Sequence, residues 1–284
     1  MTDTLKFFAF VSWVSFALLG FGTDDTRAES PLDRGTYLMQ SIAACGNCHT
    51  TQDQNGPIPG MELAGMAGFF EVPEFTIHTP NITPDKETGI GNWTDDQIIT
   101  AIREGRRPDG SMIGPIMPIG LYRDISDTDI KAIVAYLKSV PPVRHEVPRS
   151  IFNIPIPPSY GPPVNHVPDK SKEDIISYGE YLAGPVGHCI ECHTPMTPTG
   201  PDFANNLGAG GWVFPGPWGV SVSANITPKG LSSRTDEEIK NMITQGVRPD
   251  GSTMLPPMPY NYYHNMKDSD LDAIIAYLRS LPPK

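Results

Sequence analysis

All four cysteines of this 284-residue chain fall in a five-residue pattern that occurs twice: Cys45-Gly46-Asn47-Cys48-His49 and Cys189-Ile190-Glu191-Cys192-His193. Cysteines three apart lie on one side of a helical turn. Two thiols can therefore bond neighbouring vinyl groups of one porphyrin while the adjacent imidazole becomes an axial ligand. The pattern predicts two covalently bound haem c groups, with iron on His49 and His193. Zinc would need four ligands at one ion, whereas each cysteine pair carries its own histidine in a separate half of the chain. A thioredoxin-like dithiol needs a βαβ setting that these flanks do not offer, and it leaves the repeated histidine unexplained. The chemistry available to these residues is the movement of electrons.

The duplication extends beyond the motif. A shift of 144 residues places Gly35, Tyr37 and Leu38 on Gly179, Tyr181 and Leu182, Gly56-Pro57 on Gly200-Pro201, and Asn81-Ile82-Thr83-Pro84 on Asn225-Ile226-Thr227-Pro228. Three residues are then lost in a surface loop. At a shift of 141, Arg107-Pro108-Asp109-Gly110-Ser111 meets Arg248-Pro249-Asp250-Gly251-Ser252, and Ala135-Tyr136-Leu137 meets Ala276-Tyr277-Leu278. A whole domain has been duplicated.

The repeat selects the second axial ligands. Of the ten methionines after Met1, only Met117 and Met258 coincide, both before a proline in Pro115-Ile116-Met117-Pro118 and Pro256-Pro257-Met258-Pro259. No histidine outside the motifs coincides: His78, His188 and His264 fall on Val222, Ala44 and Arg123, and His145 and His166 lie between the copies. Iron ligation is therefore assigned to the pairs His49/Met117 and His193/Met258. A thioether favours ferrous iron and closes the coordination sphere. Met61, Met66, Met112 and Met254 serve as packing, and one of them becomes a ligand only if the repeat argument fails. Arg107 and Arg248 are candidates for pairing with haem propionates, against the alternative of solvated arginines in Pro-Asp-Gly turns. Trp93 is a further propionate candidate, although its counterpart is Arg234. The Gly56-Pro57 and Gly200-Pro201 turns are expected to place a carbonyl on the second nitrogen of His49 and His193.

Helices must position these residues. Thr94-Asp95-Asp96-Gln97 and Thr235-Asp236-Glu237-Glu238 are capping boxes opening helices that end near Gly105 and Gly246. Ile130, Ile133, Val134 and Leu137, matched by Leu271, Ile274, Ile275 and Leu278, form the buried face of a last helix in each copy. A helix from about Arg34, and one from about Tyr178, should run into and include each motif. No stretch alternates long enough for a sizeable sheet. The expected fold is all-α: two tandem domains, residues 29–140 and 169–284. Residues 141–168, with nine prolines, join them as an extended strap. Its Ile151, Phe152, Ile154 and Ile156 predict packing across both domains.

Residues 7–22 form an apolar run behind a single lysine, short for a bilayer span and suited to a signal peptide over residues 1–28. Export to a bacterial periplasm agrees with haem attachment outside the cytoplasm. An uncleaved leader, or a partner subunit, would instead hold the protein at the membrane. The net charge of −11 argues against nucleic acid.

The run from Tyr-Leu through Cys-x-x-Cys-His, Asn-Ile-Thr-Pro, Arg-Pro-Asp-Gly, Met-Pro and the final Ala-Tyr-Leu helix resembles class I c-type cytochrome domains. It is most similar to the cytochrome subunits of bacterial periplasmic alcohol, gluconate and sorbitol dehydrogenases. That resemblance implies an all-helical fold, His/Met haems, and electron transfer from a dehydrogenase donor towards a downstream cytochrome, an oxidase or the quinone pool, with no substrate chemistry of the chain's own. Those subunits typically carry three haem motifs and this chain has two, which puts quinone reduction in doubt. The alternative from another class is a dihaem enzyme such as a peroxidase, with one haem opening for substrate. Two matching Met-Pro segments argue against it.

Overall fold

The same local devices build each repeat. The computed structural model describes residues 29–198, 200–216 and 218–284, so the expected leader over 1–28 lies outside the described residues. In the first domain α1 (Pro31–Gln40) starts at a Ser30/Asp33 capping box and stops at Ser41, whose hydroxyl donates to the Tyr37 carbonyl. The one-turn helix α2 (Gly46–His49) follows, then the hairpin β1 (Gln52–Asp53) and β2 (Gly56–Pro57), and a second hairpin of β3 (Met66–Val72) and β4 (Phe75–Thr79). Helix α3 (Asp95–Glu104) has a complete Thr94/Gln97 capping box and ends at Gly105, whose φ of 66° is the left-handed conformation glycine tolerates. The turn α4 (Ile119–Tyr122) and helix α5 (Asp127–Ser139) complete the domain.

Strap residues Ile151–Phe152 form β5, and the second domain repeats the plan. Helix α6 (Ile175–Tyr181) passes into a π-helical turn (Leu182–Val186) and then α7 (Cys189–Cys192). The short elements β6 (Met196–Thr197), β7 (Gly200–Pro201), α8 (Phe203–Asn206), β8 (Val213–Gly216), β9 (Gly219–Val222) and α9 (Pro228–Leu231) come next. Helix α10 (Asp236–Gln245) has the Thr235/Glu238 capping box and the Gly246 cap, and α11 (Tyr260–Tyr263) and α12 (Asp268–Ser280) close the chain.

Three expectations are corrected. The all-α reading overlooks four small sheets among the described residues, three of two strands and one of three. Most of their strands are two to four residues long, and β3, the longest, has a register break between Met66 and Phe70 that spoils its alternation. The helices from Arg34 and Tyr178 do not run into the haem motifs. The backbone breaks first, and the residue before each motif, Ala44 at φ 45° and His188 at φ 41°, enters the attachment turn through left-handed conformation. Among the described residues, the strap's hydrogen bonds, ion pairs and strand pairing do not reach across both domains. It grips the first: β5 pairs with β4, Arg149 pairs with Asp109, Val164 N–H donates to Glu104 and Asp127 N–H donates to the Val167 carbonyl. Phe152 packs on Phe75 and fills the space at Gly114, while Ile151 is 58% exposed.

Helix α1 crosses α5, and α6 crosses α12, at glycine contacts. A Cβ on Gly35 would lie 2.0 Å from the Ala132 carbonyl oxygen, and one on Gly179 would lie 1.9 Å from that of Ala273. The apolar faces of α5 and α12 are fully buried, and one cluster of buried side chains runs through both domains. The seam follows the repeat. Tyr37 donates to Asp270 at 2.6 Å, and its counterpart Tyr181 donates to Asp129 at 2.7 Å.

Candidate functional site

Each attachment turn presents two thiols and one committed imidazole. None of the four cysteines is in a disulfide. Burial pushes the Cys45 thiol up to about 12 and that of Cys189 to about 11, so both stay protonated. The His49 Nδ1–H donates to the Pro80 carbonyl at 2.9 Å, and the His193 Nδ1–H donates to the Ala224 carbonyl at 2.7 Å. A carbonyl can only accept, so the proton sits on Nδ1 and the lone pair on Nε2. Burial also holds both imidazoles below their ordinary pKa, in the neutral form a metal requires.

The carbonyls do not come from the Gly-Pro turns. Gly56-Pro57 and Gly200-Pro201 form hairpin strands, whereas Pro80 and Ala224 directly precede the two Asn-Ile-Thr-Pro runs. That motif is a folded turn. The Asn81 side-chain oxygen accepts from the Thr83 N–H and hydroxyl, and Asn225 does the same with Thr227. Behind each histidine, Gly65 and Gly210 donate to its backbone carbonyl at 2.7 Å.

Met117 and Met258 occupy equivalent places, half-buried against the core and one residue before the prolines that open α4 and α11. Ile116, immediately before Met117, has φ 103°, which a β-branched residue adopts only under constraint. The loops leading there are braced alike by different residues. Tyr160 of the strap donates to the Ile113 carbonyl at 2.9 Å, and Tyr260 of α11 donates to the equivalent Met254 carbonyl. Arg107 donates to Ser111 and the Met112 carbonyl, and Arg248 to Ser252 and the Thr253 carbonyl, so each arginine holds its own turn. Arg107 also lines a cleft of about 380 Å³ with Arg149, Phe152 and Ile156. Trp93 packs half-buried on the core.

The two attachment turns meet at the seam, among residues that sequence reasoning missed. Burial, with Glu191 of the second domain adding to it, pushes the Cys48 thiol of the first up to about 12. Tyr122 lies edge-on to His188 with ring centroids 5.9 Å apart, and burial pulls His188 down to about 4. Tyr263, at the position matching Tyr122, reaches the Cys189 thiol. Tyr262 crosses the seam, its hydroxyl lying where a Cβ on Gly46 would point. The match of Tyr122 with Tyr263 was available at the shift of 141. Tyr262 falls on Leu121 and left no such trace.

Paired neutral thiols on a single helical turn, with an imidazole whose Nε2 is left for a metal, fit a c-type haem at each motif. Residues 30–137 match the family described as cytochrome c oxidase, cbb3-type, subunit III, and residues 181–282 match the family described as cytochrome c. The fructose dehydrogenase cytochrome subunit of Gluconobacter japonicus is 31% identical, over 89% of this chain and 53% of that protein. The gluconate 2-dehydrogenase cytochrome c subunit of Pantoea cypripedii is 30% identical, over 95% of this chain and 63% of that protein. A diheme cytochrome c-type protein of Cereibacter sphaeroides is 29% identical, over 84% of this chain and 82% of its own length. The chain thus spans less than two thirds of each of the two dehydrogenase subunits. Two matched domains and these relatives make the chain a member of the c-type cytochromes, two cytochrome c domains in tandem with two covalently bound haem c groups.

Proposed function

We propose that this chain is a periplasmic dihaem electron carrier that takes electrons from a dehydrogenase and passes them to a respiratory acceptor: a downstream cytochrome, an oxidase or the quinone pool. Cys45, Cys48 and His49 would hold the first haem and Cys189, Cys192 and His193 the second, with Met117 and Met258 as distal ligands. Arg107 and Arg248 would pair with propionates. Haem supplies one-electron cycling of iron between ferric and ferrous states. The protein's part is to keep each ligand still. Pro80 and Ala224 carbonyls orient the histidines, and the Tyr160 and Tyr260 hydrogen bonds brace the loops that carry the methionines.

The observation that carries this reading is that both repeats present a committed histidine and an equivalent Met-Pro segment, as two closed haem sites would require. The names of two relatives, cytochrome subunits of fructose and gluconate dehydrogenases, support a dehydrogenase as donor. Residues 1–28 would direct export, with domains over 29–140 and 169–284 joined by the strap 141–168. Among the described residues no helix is long and apolar enough to cross a membrane.

The test is carbon monoxide binding to the reduced, folded dihaem protein. The carrier reading expects neither haem to bind it. Ready binding at one haem would favour the substrate-binding enzyme instead. Met117→Ala and Met258→Ala should each lower one midpoint potential by on the order of 100 mV and open only that haem.

A further inference from the structure

The same hairpin occurs in both domains, but among the described residues only one copy is covered by a third strand. Strands β3 and β4 pair Phe70 with Ile77, Glu71 with Thr76 and Val72 with Phe75. At a shift of 144, β8 and β9 pair Phe214 with Ser221, Pro215 with Val220 and Gly216 with Gly219. In the first domain the strap occupies the outer edge of β4, pairing Phe152 with Phe75 and Ile151 with Thr76. The Asn153 N–H donates to the Glu74 carbonyl at 2.8 Å, and the Ser150 hydroxyl bridges the His78 N–H and carbonyl at 3.0 Å each. Among the described residues no strand pairs with the outer edge of β9.

The residue types run opposite to what an idle edge needs. Soluble proteins guard open strand edges with charge, lysine above all. On one face of the covered hairpin stand Glu71, Thr76 and His78, whereas the same positions of the uncovered hairpin hold Pro215, Val220 and Val222. Val220 is 60% exposed, Val222 58% and Val213, which pairs with Val222, 52%. Trp218 stands exposed at the tip. A contiguous apolar face beside an open edge marks a site of strand addition.

We propose that β9 is a docking edge that takes an extended apolar strand from a protein partner, added antiparallel as β5 is added to β4. The first domain supplies the template for that strand: a short extended segment, apolar at its pairing residues and flanked by proline. Binding itself stands independently of the electron-carrier reading. Given that reading, the partner would lie beside the second haem, because the hairpin continues into Ala224, which holds His193, and Ser221 donates to the Pro256 carbonyl two residues before Met258 at 2.6 Å.

The test uses the full-length dihaem protein and a synthetic peptide of strap residues 148–156 as probe, read by amide hydrogen exchange. The expected result is slowed exchange at residues 219–222, with binding weakened by about tenfold or more in the Val220→Lys/Val222→Lys double variant. Both side chains are exposed, so the variant folds. No slowing at 219–222, or slowing only at 74–78, overturns the proposal. Self-association of the unliganded protein that the double variant abolishes would also overturn it, giving the edge to a second copy of the chain.

Discussion

Tyr37 of the first domain donates a 2.6 Å hydrogen bond to Asp270 of the second, and the repeat returns the contact as Tyr181 to Asp129 at 2.7 Å. Each domain thus lends a tyrosine to a buried carboxylate of the other. The exchange is unequal. Asp129 also grips Arg34 through two hydrogen bonds of 2.7 and 2.8 Å, while the counterpart of Arg34 is Tyr178, which leaves Asp270 dependent on Tyr37.

Tyr37→Phe should therefore cost more than Tyr181→Phe: about 2–3 kcal/mol for the first, which leaves a buried carboxylate short of a partner, and about 1 kcal/mol for the second. Guanidinium unfolding of the dihaem protein measures both. Equal losses would mean that the seam does not rely on Asp270.

Helix crossing predicts an equal loss in the two domains. Gly35→Ala and Gly179→Ala each drive a methyl group into the backbone of the facing helix, and should cost about 2–4 kcal/mol. Gly120→Ala, with nothing within 4 Å of the new Cβ, serves as the neutral control. Thermal unfolding of the three variants separates packing from glycine content.

The methionine loops should respond one domain at a time. Tyr160→Phe removes the strap's bond to Ile113, and Tyr260→Phe removes the α11 bond to Met254, each at about 1 kcal/mol. A redox titration should show each variant displacing a different one of the two midpoint potentials. Displacement of both by either variant would contradict separate bracing.

Acid should loosen the end of the strap. Although burial opposes it, hydrogen bonds from His166, Arg103 and the Val167 N–H hold the Asp127 carboxyl down at about 2. A carboxyl lowered in the folded state stabilises above its unfolded pKa of about 3.9 and loses that contribution as pH falls through the folded value. Unfolding free energies measured from pH 5 down to pH 2 should fall more steeply for the natural chain than for Asp127→Asn.

Much of the site is legible in the residues because its signals are covalent or local. Thiol spacing defines the attachment turns, and the capping boxes at Thr94 and Thr235 mark helix starts within four residues. The register of one copy on the other picks out Met117 and Met258. The source of the histidine's carbonyl is not legible in this way: Pro80 and Ala224 stand 31 residues from their partners, and Gly-Pro turns nearer in sequence looked equally able. The strands escape because most have only two to four residues and the longest, β3, is interrupted by a register break, and β5 forms only because β4 offers it an edge.

By itself the amino-acid sequence determined the two haem c sites, the duplication and the buried faces of the last helices, since each depends on residues close along the chain or on one copy compared with the other. Only the tertiary structure decided that the strap pairs with the first domain, that Tyr37 and Tyr181 change sides, and that no strand among the described residues covers β9. Those outcomes depend on which surfaces compete for one segment in space. Two copies of one duplicated domain can resolve that competition differently.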